Sequence, residues 1–332
     1  MKWYPWLNSP YRQILTSYQQ KRGHHALLLH SQSGNGEASL CYALSRWLIC
    51  RQPDGIKSCG NCHSCQLMKI NNHPDVYQLQ PEQGRKSLGI DSVRSIIDSL
   101  YARASQGGAK VIHLSQSELL TEQAANALLK TLEEPPDNTY FILICQTPAS
   151  LLPTLRSRCL YWPLPAPEEE LSFRWLRKAG YQHPPLSTRT ALRLCGGAPL
   201  AAEALLKPVR WQDRLTFCRR LQEAHETGNF LELLPILNRE QDNGPLHWML
   251  SLISDALKYQ HGAKEFLLNA DRSQLVALIA ARWATSILHV QWQQWLYYIY
   301  QCQEISGINR ELLLTKYLLN WEQAVKDVRI SL

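Results

Sequence analysis

Cys50, Cys59, Cys62 and Cys65 fall in the spacing C-x8-C-x2-C-x2-C, and they are the residues of this chain most plainly suited to chemistry. Such short spacings let neighbouring thiolates turn onto one tetrahedral Zn²⁺. Four sulfurs close the coordination sphere and leave no position for water, so the expected metal is structural and not catalytic. Lys57 and His63 lie within or beside the cluster and would soften its negative charge. Two other readings compete: four unrelated buried cysteines, or a redox C-x-x-C pair. The remaining cysteines, Cys41, Cys145, Cys159, Cys195, Cys218 and Cys302, are scattered as ordinary buried thiols are.

A second pattern sits upstream. A working phosphate loop reads G-x-x-x-x-G-K-[ST]: backbone N–H groups cradle phosphates, lysine reaches the terminal phosphates, and the hydroxyl binds Mg²⁺. Here Ser31 takes the first glycine place, Gly34 lies inside the loop and Gly36 takes the second, but Glu37 and Ala38 follow. An anion replaces the cation and a methyl group replaces the metal ligand. Unit charges about 4 Å apart interact by roughly 4 kcal/mol at an effective dielectric near 20, so lysine to glutamate turns an attraction into a comparable repulsion. Triphosphate is expected to bind poorly or not at all. Past the strand-like run Val111 to Leu114, where such ATPases place acidic residues, stand Ser115 and Gln116. Taken alone, Ser-Gly-Asn-Gly before a helix is also what any glycine turn at a strand end looks like.

Those residues need a frame. Ala26 to Leu29 is a short apolar run, then comes the glycine-bearing loop, then Ala38 to Ile49 with apolar residues at helical spacing. Lys110 to Leu114 and Tyr140 to Cys145 read as buried strands. Between them Thr121 caps a helix on which Ala125, Leu128, Leu129 and Leu132 recur at i, i+3, i+4 and i+7, until Pro135-Pro136 forbids continuation. This alternation predicts an α/β domain with a parallel sheet covered on both faces. Trp162-Pro163-Leu164-Pro165-Ala166-Pro167 reads as a stiff linker or domain edge, and the pattern beyond it is helical.

With 332 residues, 45% hydrophobic and 19% charged, the chain has material for two or three domains. The N-terminus, Met-Lys-Trp-Tyr-Pro-Trp, has no apolar segment of a signal peptide behind it, and no run approaches a membrane span. A cytoplasmic, soluble protein is the expectation, and in a reducing compartment ten cysteines argue against a disulfide framework. A formal charge of +7 suits work near nucleic acid.

The run Asn126 to Pro136 (NALLKTLEEPP), followed by Leu152-Pro153-Thr154-Leu155-Arg156-Ser157-Arg158-Cys159, closely resembles the core of bacterial clamp-loader subunits of the AAA+ family. His73-Pro74-Asp75, Ile90 to Arg94 and Ile308 to Leu313 agree with it. The resemblance spans most of the chain and is most specific in the first 160 residues or so.

The resemblance implies an AAA+, P-loop NTPase-like domain with a zinc module over 1–165, a small helical lid over 166–207 and an all-α collar over 208–332. It implies a non-ATPase stator subunit of the DNA polymerase III clamp loader, without catalysis or bound ATP of its own. The implied partners are gamma/tau ATPase subunits and a delta subunit in a hetero-pentamer, the sliding clamp and primer-template DNA, in a replisome at the nucleoid and without a membrane. Leu200 stands where active relatives carry a sensing arginine in the lid. Arg158 matches the arginine that reaches a neighbouring subunit's ATP, a task suited to a planar, always-charged guanidinium. Arg156 is read as structural, and Leu132 to Pro136 as a helix stop or part of the same interface.

Two readings from other classes remain beside this one. The chain is a weak ATPase with unusual ligands, or it is a zinc-containing DNA-binding replication or repair accessory protein in which Arg85, Lys86 and Arg94 meet phosphates near a helix N-terminus. Arg310 and Lys316 read as a solvated helix face, and Trp283, Trp292 and Trp295 as core or subunit contact.

Overall fold

A computed structural model of the chain describes residues 1–81, 87–239, 242–305 and 307–330. Two compact units meet at the chain position between Pro167 and Glu168.

In the first unit, β1 (Ala26–Ser31), β2 (Val76–Leu79), β3 (Lys110–Leu114), β4 (Thr139–Cys145) and β5 (Leu160–Leu164) form one sheet in the order β2-β3-β4-β1-β5. Every neighbouring pair is parallel. Its helices are α1 (Asn8–Gln19), α2 (Glu37–Leu48), α3 (His63–Lys69), α4 (Ile90–Tyr101), α5 (Glu122–Glu133) and the single turn α6 (Pro153–Arg156).

The period of two along each strand sorts the apolar side chains onto opposite faces. Ala26, Leu28, Ile112, Phe141 and Leu143 pack with α4 and α5 through Val93, Leu100, Ala125, Leu128 and Leu132. Leu27, Leu29, Val111, Ile142 and Ile144 pack with α1 and α2 through Leu15, Leu40 and Leu44. Both faces are thus covered, as a parallel sheet requires, since crossover helices must pack back on it. The expected cap is present: the Thr121 hydroxyl accepts the Ala124 N–H at 3.2 Å.

One expectation needs correction. Trp162, Pro163 and Leu164 are not linker but belong to β5, paired with Leu29, His30 and Ser31 of β1. β5 is an edge strand, bonded on one side only, and an edge tolerates a proline that cannot donate to a ladder. Beyond it only Pro165, Ala166 and Pro167 connect the two units.

The second unit contains α7 (Glu169–Lys178), α8 (Pro185–Leu194), α9 (Pro199–Leu205), α10 (Pro208–Thr227), α11 (Leu234–Leu237), α12 (Gly244–Gln260), α13 (Ser273–Arg282), α14 (Thr285–Glu304) and α15 (Arg310–Ile330). A single apolar core joins residues from α7 through α15, including Leu176, Phe217, Met249, Trp295 and Trp321. Trp283 and Trp295 lie inside it, whereas Trp292 is partly exposed. Arg214, fully buried, grips Asp271 with two guanidinium nitrogens at 2.7 and 2.9 Å. Arg310 differs from its expected solvated position: it is half-buried and donates to the Asn243 side chain at 3.0 Å, while Lys316 is exposed. Among the described residues no single helix is long and apolar enough to cross a membrane.

Candidate functional site

Cys50 follows the end of α2, Cys59 lies in the loop beyond it, Cys62 caps α3 and Cys65 sits in its first turn. The four Sγ atoms all lie within 4.8 Å of one another, and those of Cys59 and Cys65 are 3.9 Å apart. A tetrahedron with Zn–S bonds near 2.3 Å has edges of about 3.8 Å, so the arrangement fits a four-sulfur metal site. Backbone N–H groups are aimed at the sulfurs: Cys59 N–H donates to Cys50 Sγ and Cys62 N–H to Cys59 Sγ, each at 3.3 Å. Hydrogen bonds from the Cys62 and Asn61 backbone pull the Cys59 thiol down to about 6, favouring the thiolate a metal needs. Burial pushes Cys65 the other way, to about 12, so a metal must displace its proton.

Gly60 makes the turn possible. Its φ of +75° lies in the left-handed region, and a Cβ there would stand 3.3 Å from Arg46 Nη2. The module is tied to the domain by Tyr11 Oη donating to the Ile56 carbonyl at 2.8 Å and Trp47 Nε1 to the Gly55 carbonyl at 3.0 Å.

The phosphate loop has the frame expected of it, strand β1 leading into helix α2, with Gly34 and Gly36 at φ values of +94° and +87°. What fills it is the chain itself. The Glu37 carboxylate accepts the Gly34 N–H at 3.3 Å, so a side chain occupies a donor of the kind that cradles phosphate in working loops. The N-terminal segment closes over the same place. Trp6 Nε1 donates to the Asn35 carbonyl at 2.7 Å, Ser39 Oγ donates to the Lys2 carbonyl at 2.9 Å, and a Cβ at Gly36 would stand 3.0 Å from the Tyr4 ring and 3.2 Å from Leu7. Sequence reasoning missed these covering residues; the density of tryptophan and tyrosine in the first six positions was the available signal.

Beside the loop, a cavity of about 390 Å³ is lined by Glu37, Ala38, His73, His113 and Ser115 among others, with no lysine or arginine in its wall. His113, on β3, shares a hydrogen with Ser45 of α2 at 2.5 Å, and burial lowers its pKa to about 4, leaving the ring uncharged. Ser115 and Gln116 are exposed at the end of β3. A triphosphate would meet the Glu37 carboxylate here, with neither the lysine nor the hydroxyl of a working loop beside it, and those residues do not fit it. Leu200 lies on α9, in the second unit.

Arg158 follows α6, just before β5. Its Nη1 donates to the Thr154 carbonyl at 2.9 Å and its Nη2 is ion-paired with Glu133, the last residue of α5. Its Nε is buried without a hydrogen-bond partner. Arg156 is exposed on the same turn. Of the proposed phosphate-contacting cations, Arg94 is exposed on α4, whereas Arg85 and Lys86 lie outside the described residues.

Comparison with known proteins divides the chain in three. Residues 7–168 match a family model described as DNA polymerase III, delta subunit; residues 167–207 match that of the DNA polymerase III subunit delta' AAA+ ATPase lid domain; and residues 208–323 match that of the DNA polymerase III, delta subunit, C terminal. The chain is 53% identical to DNA polymerase III subunit delta' of Yersinia pestis, with 98% of this chain and 97% of that protein covered. It is 46% identical to the same subunit of Escherichia coli K12, over 97% and 96%. A crystal structure of a DNA polymerase III gamma subunit-related protein from Thermotoga maritima aligns at 20% identity and a TM-score of 0.45, over 94% of this chain and 99% of that one.

Proposed function

The chain belongs to the delta' subunits of DNA polymerase III, part of its clamp loader, and from that membership we propose that it serves as the loader's fixed, nucleotide-free member, lending Arg158 to a neighbouring ATPase subunit. As a clamp-loader subunit it assembles with other subunits of that loader. In the proposed arrangement gamma/tau and delta subunits complete a hetero-pentamer, its three regions acting as AAA+ domain, lid and collar. That ring acts on the sliding clamp and primer-template DNA.

The observation that carries the stator reading is the closed phosphate loop: Glu37 holds the Gly34 N–H, and Tyr4 and Trp6 pack over Gly36 and Asn35. A subunit that takes up no nucleotide has no ATP-driven change of state, because a ligand shifts a conformational equilibrium only through differential binding. Its neighbours then have a constant surface to close against. Arg158 supports the second half of the reading. A guanidinium placed on a turn after α6 has N–H groups to spare for phosphate oxygens, and fingers of this kind contribute roughly 10³ to 10⁵ in rate in P-loop enzymes.

The cysteine cluster would hold structural zinc through Cys50, Cys59, Cys62 and Cys65. A bound Zn²⁺ would fix the loop between α2 and α3; with four sulfurs it has no place for substrate.

The test is the ATPase of a reconstituted loader carrying Arg158→Ala. DNA-stimulated turnover is expected to fall by about 10-fold or more, against the larger loss known for a single isolated site. Undiminished turnover defeats the finger, and saturable ATP binding by the isolated chain defeats the nucleotide-free reading.

A further inference from the structure

Glu133 stands at the C-terminal end of α5, followed by Glu134, Pro135 and Pro136. An anion there faces the negative end of the helix dipole and is unfavourably placed by its own helix. The prolines fix the helix end and so hold the carboxylate in position. What compensates it is Arg158, across 25 residues of chain.

The same contact constrains Arg158. Its two terminal nitrogens face its own subunit, one on Glu133 and the other on the Thr154 carbonyl of α6, and its positive charge is neutralised where it lies. A guanidinium so engaged is folded back and offers a neighbour's phosphates less attraction than a free one. The pair is nonetheless partly solvated, with side-chain exposures of 27% for Arg158 and 53% for Glu133, and ion pairs in that range are weak enough to exchange.

Resting on the finger reading above, we propose that Glu133 is the resting counter-ion of Arg158, a positioning residue that competes with the neighbouring subunit's triphosphate for the guanidinium. No covalent bond is made or broken in the exchange; one charge-assisted hydrogen bond is traded for another. Arg158 leaves a single carboxylate for a more highly charged phosphate group, and Glu133 returns to water. The competition makes engagement of Arg158 conditional on a triphosphate being fully seated next door.

The experiment is a cycle of four reconstituted loaders: unmodified, Glu133→Gln, Arg158→Ala and the double variant, each assayed for kcat and KM for ATP with primer-template DNA present. Glutamine keeps the size and removes the charge. Glu133→Gln is expected to lower KM by about 2- to 5-fold, the range set by a partly exposed ion pair, with kcat unchanged. In the Arg158→Ala background the same substitution should then change nothing. A raised KM or a lowered kcat in Glu133→Gln would mean that the carboxylate orients Arg158 for reaction and would overturn competition. An equal effect with and without Arg158 would make Glu133 merely structural. If Arg158→Ala alone leaves turnover intact, the finger reading has failed and the counter-ion role fails with it. Unfolding temperatures of the four isolated chains identify any variant whose loss is one of folding.

Discussion

The carboxylate of Glu37 accepts a hydrogen bond from the backbone N–H of Gly34, three residues earlier, at 3.3 Å. A side chain thereby takes the place of a phosphate in a loop built to hold one. The residue at the position of the cation in working loops is thus an anion that takes up one of the loop's own donors.

Restoring the lost side chains is therefore not expected to restore binding. A chain carrying Glu37→Lys with Ala38→Thr regains the cation and the hydroxyl but still has Tyr4 and Leu7 against Gly36 and Trp6 bonded to Asn35. Equilibrium dialysis with labelled ATP should detect no saturable binding by this variant. Binding by the double variant would assign the closure to charge alone and not to the N-terminal cover.

The cysteine cluster should carry one zinc per chain by elemental analysis. Cys62→Ala, which removes a thiolate and leaves the backbone of the turn, is expected to abolish it. The first unit should then melt about 5 to 10 °C lower, equivalent to ~2 to 3 kcal/mol in a domain of this size. Because Cys65 is protonated in its buried setting, metal uptake should release protons and weaken as pH falls. Full retention of metal in the variant, or a pH-independent uptake, would count against the four-sulfur site.

Arg214 and Asp271 form a buried ion pair in the second unit. Asp271→Ala leaves a buried guanidinium with the Asn269 side chain and the Trp211 ring but no anion, and should lower stability by about 3 to 5 kcal/mol, since an unpaired buried charge is worse than none. Replacing both, as Arg214→Met with Asp271→Ala, should recover much of the loss. Denaturant unfolding of both single variants and the double variant makes the comparison, and a double-variant loss equal to the sum of the two single losses would show that the pair is not coupled.

His225 lies among Phe230, Trp283 and Trp321 and accepts the Trp283 indole N–H at 3.1 Å; burial drives its pKa down to about 3. His113 is lowered to about 4 by burial in the first unit. Each ring is neutral when folded and takes up a proton near pH 6.5 when unfolded. The unfolded state then binds more protons below that value, so stability is fully present above pH 6.5 and is lost as pH falls toward the folded values. Each of these two rings should contribute ~1.4 kcal/mol per pH unit to the slope of its own unit between about pH 6 and pH 4.5, on top of the smaller contributions of His25, His73 and His247, which burial also lowers. His225→Gln should flatten the slope of the second unit, read by tryptophan fluorescence; an unchanged slope would mean that other groups carry the acid sensitivity.

Much of this protein was open to reading from its residues alone, for reasons of distance along the chain. The two-residue spacings of Cys59, Cys62 and Cys65 limit how far apart their sulfurs can be, and the run from Thr121 to Pro136 contains its own cap, apolar stripe and stop. The absence of lysine after Gly36 is equally local. Chemistry written within about one turn of backbone survives whatever the rest of the chain does.

Contacts between distant segments were decided by the tertiary structure. Pro163 looked like linker until the free side of β1 accepted it as an edge strand. The aromatic density around Tyr4 and Trp6 marks them as packed residues but not where they pack, because it is the packing of α1 and α2 on one face of the sheet that brings the N-terminus over Gly36. Glu133 and Arg158 meet for the same reason: α5 and α6 pack on the opposite face, and the ion pair follows from where those helices end. Residue type and spacing fixed which groups this chain could offer. Which of them face one another depends on packing among elements far apart in sequence, a cooperative property that no short stretch contains.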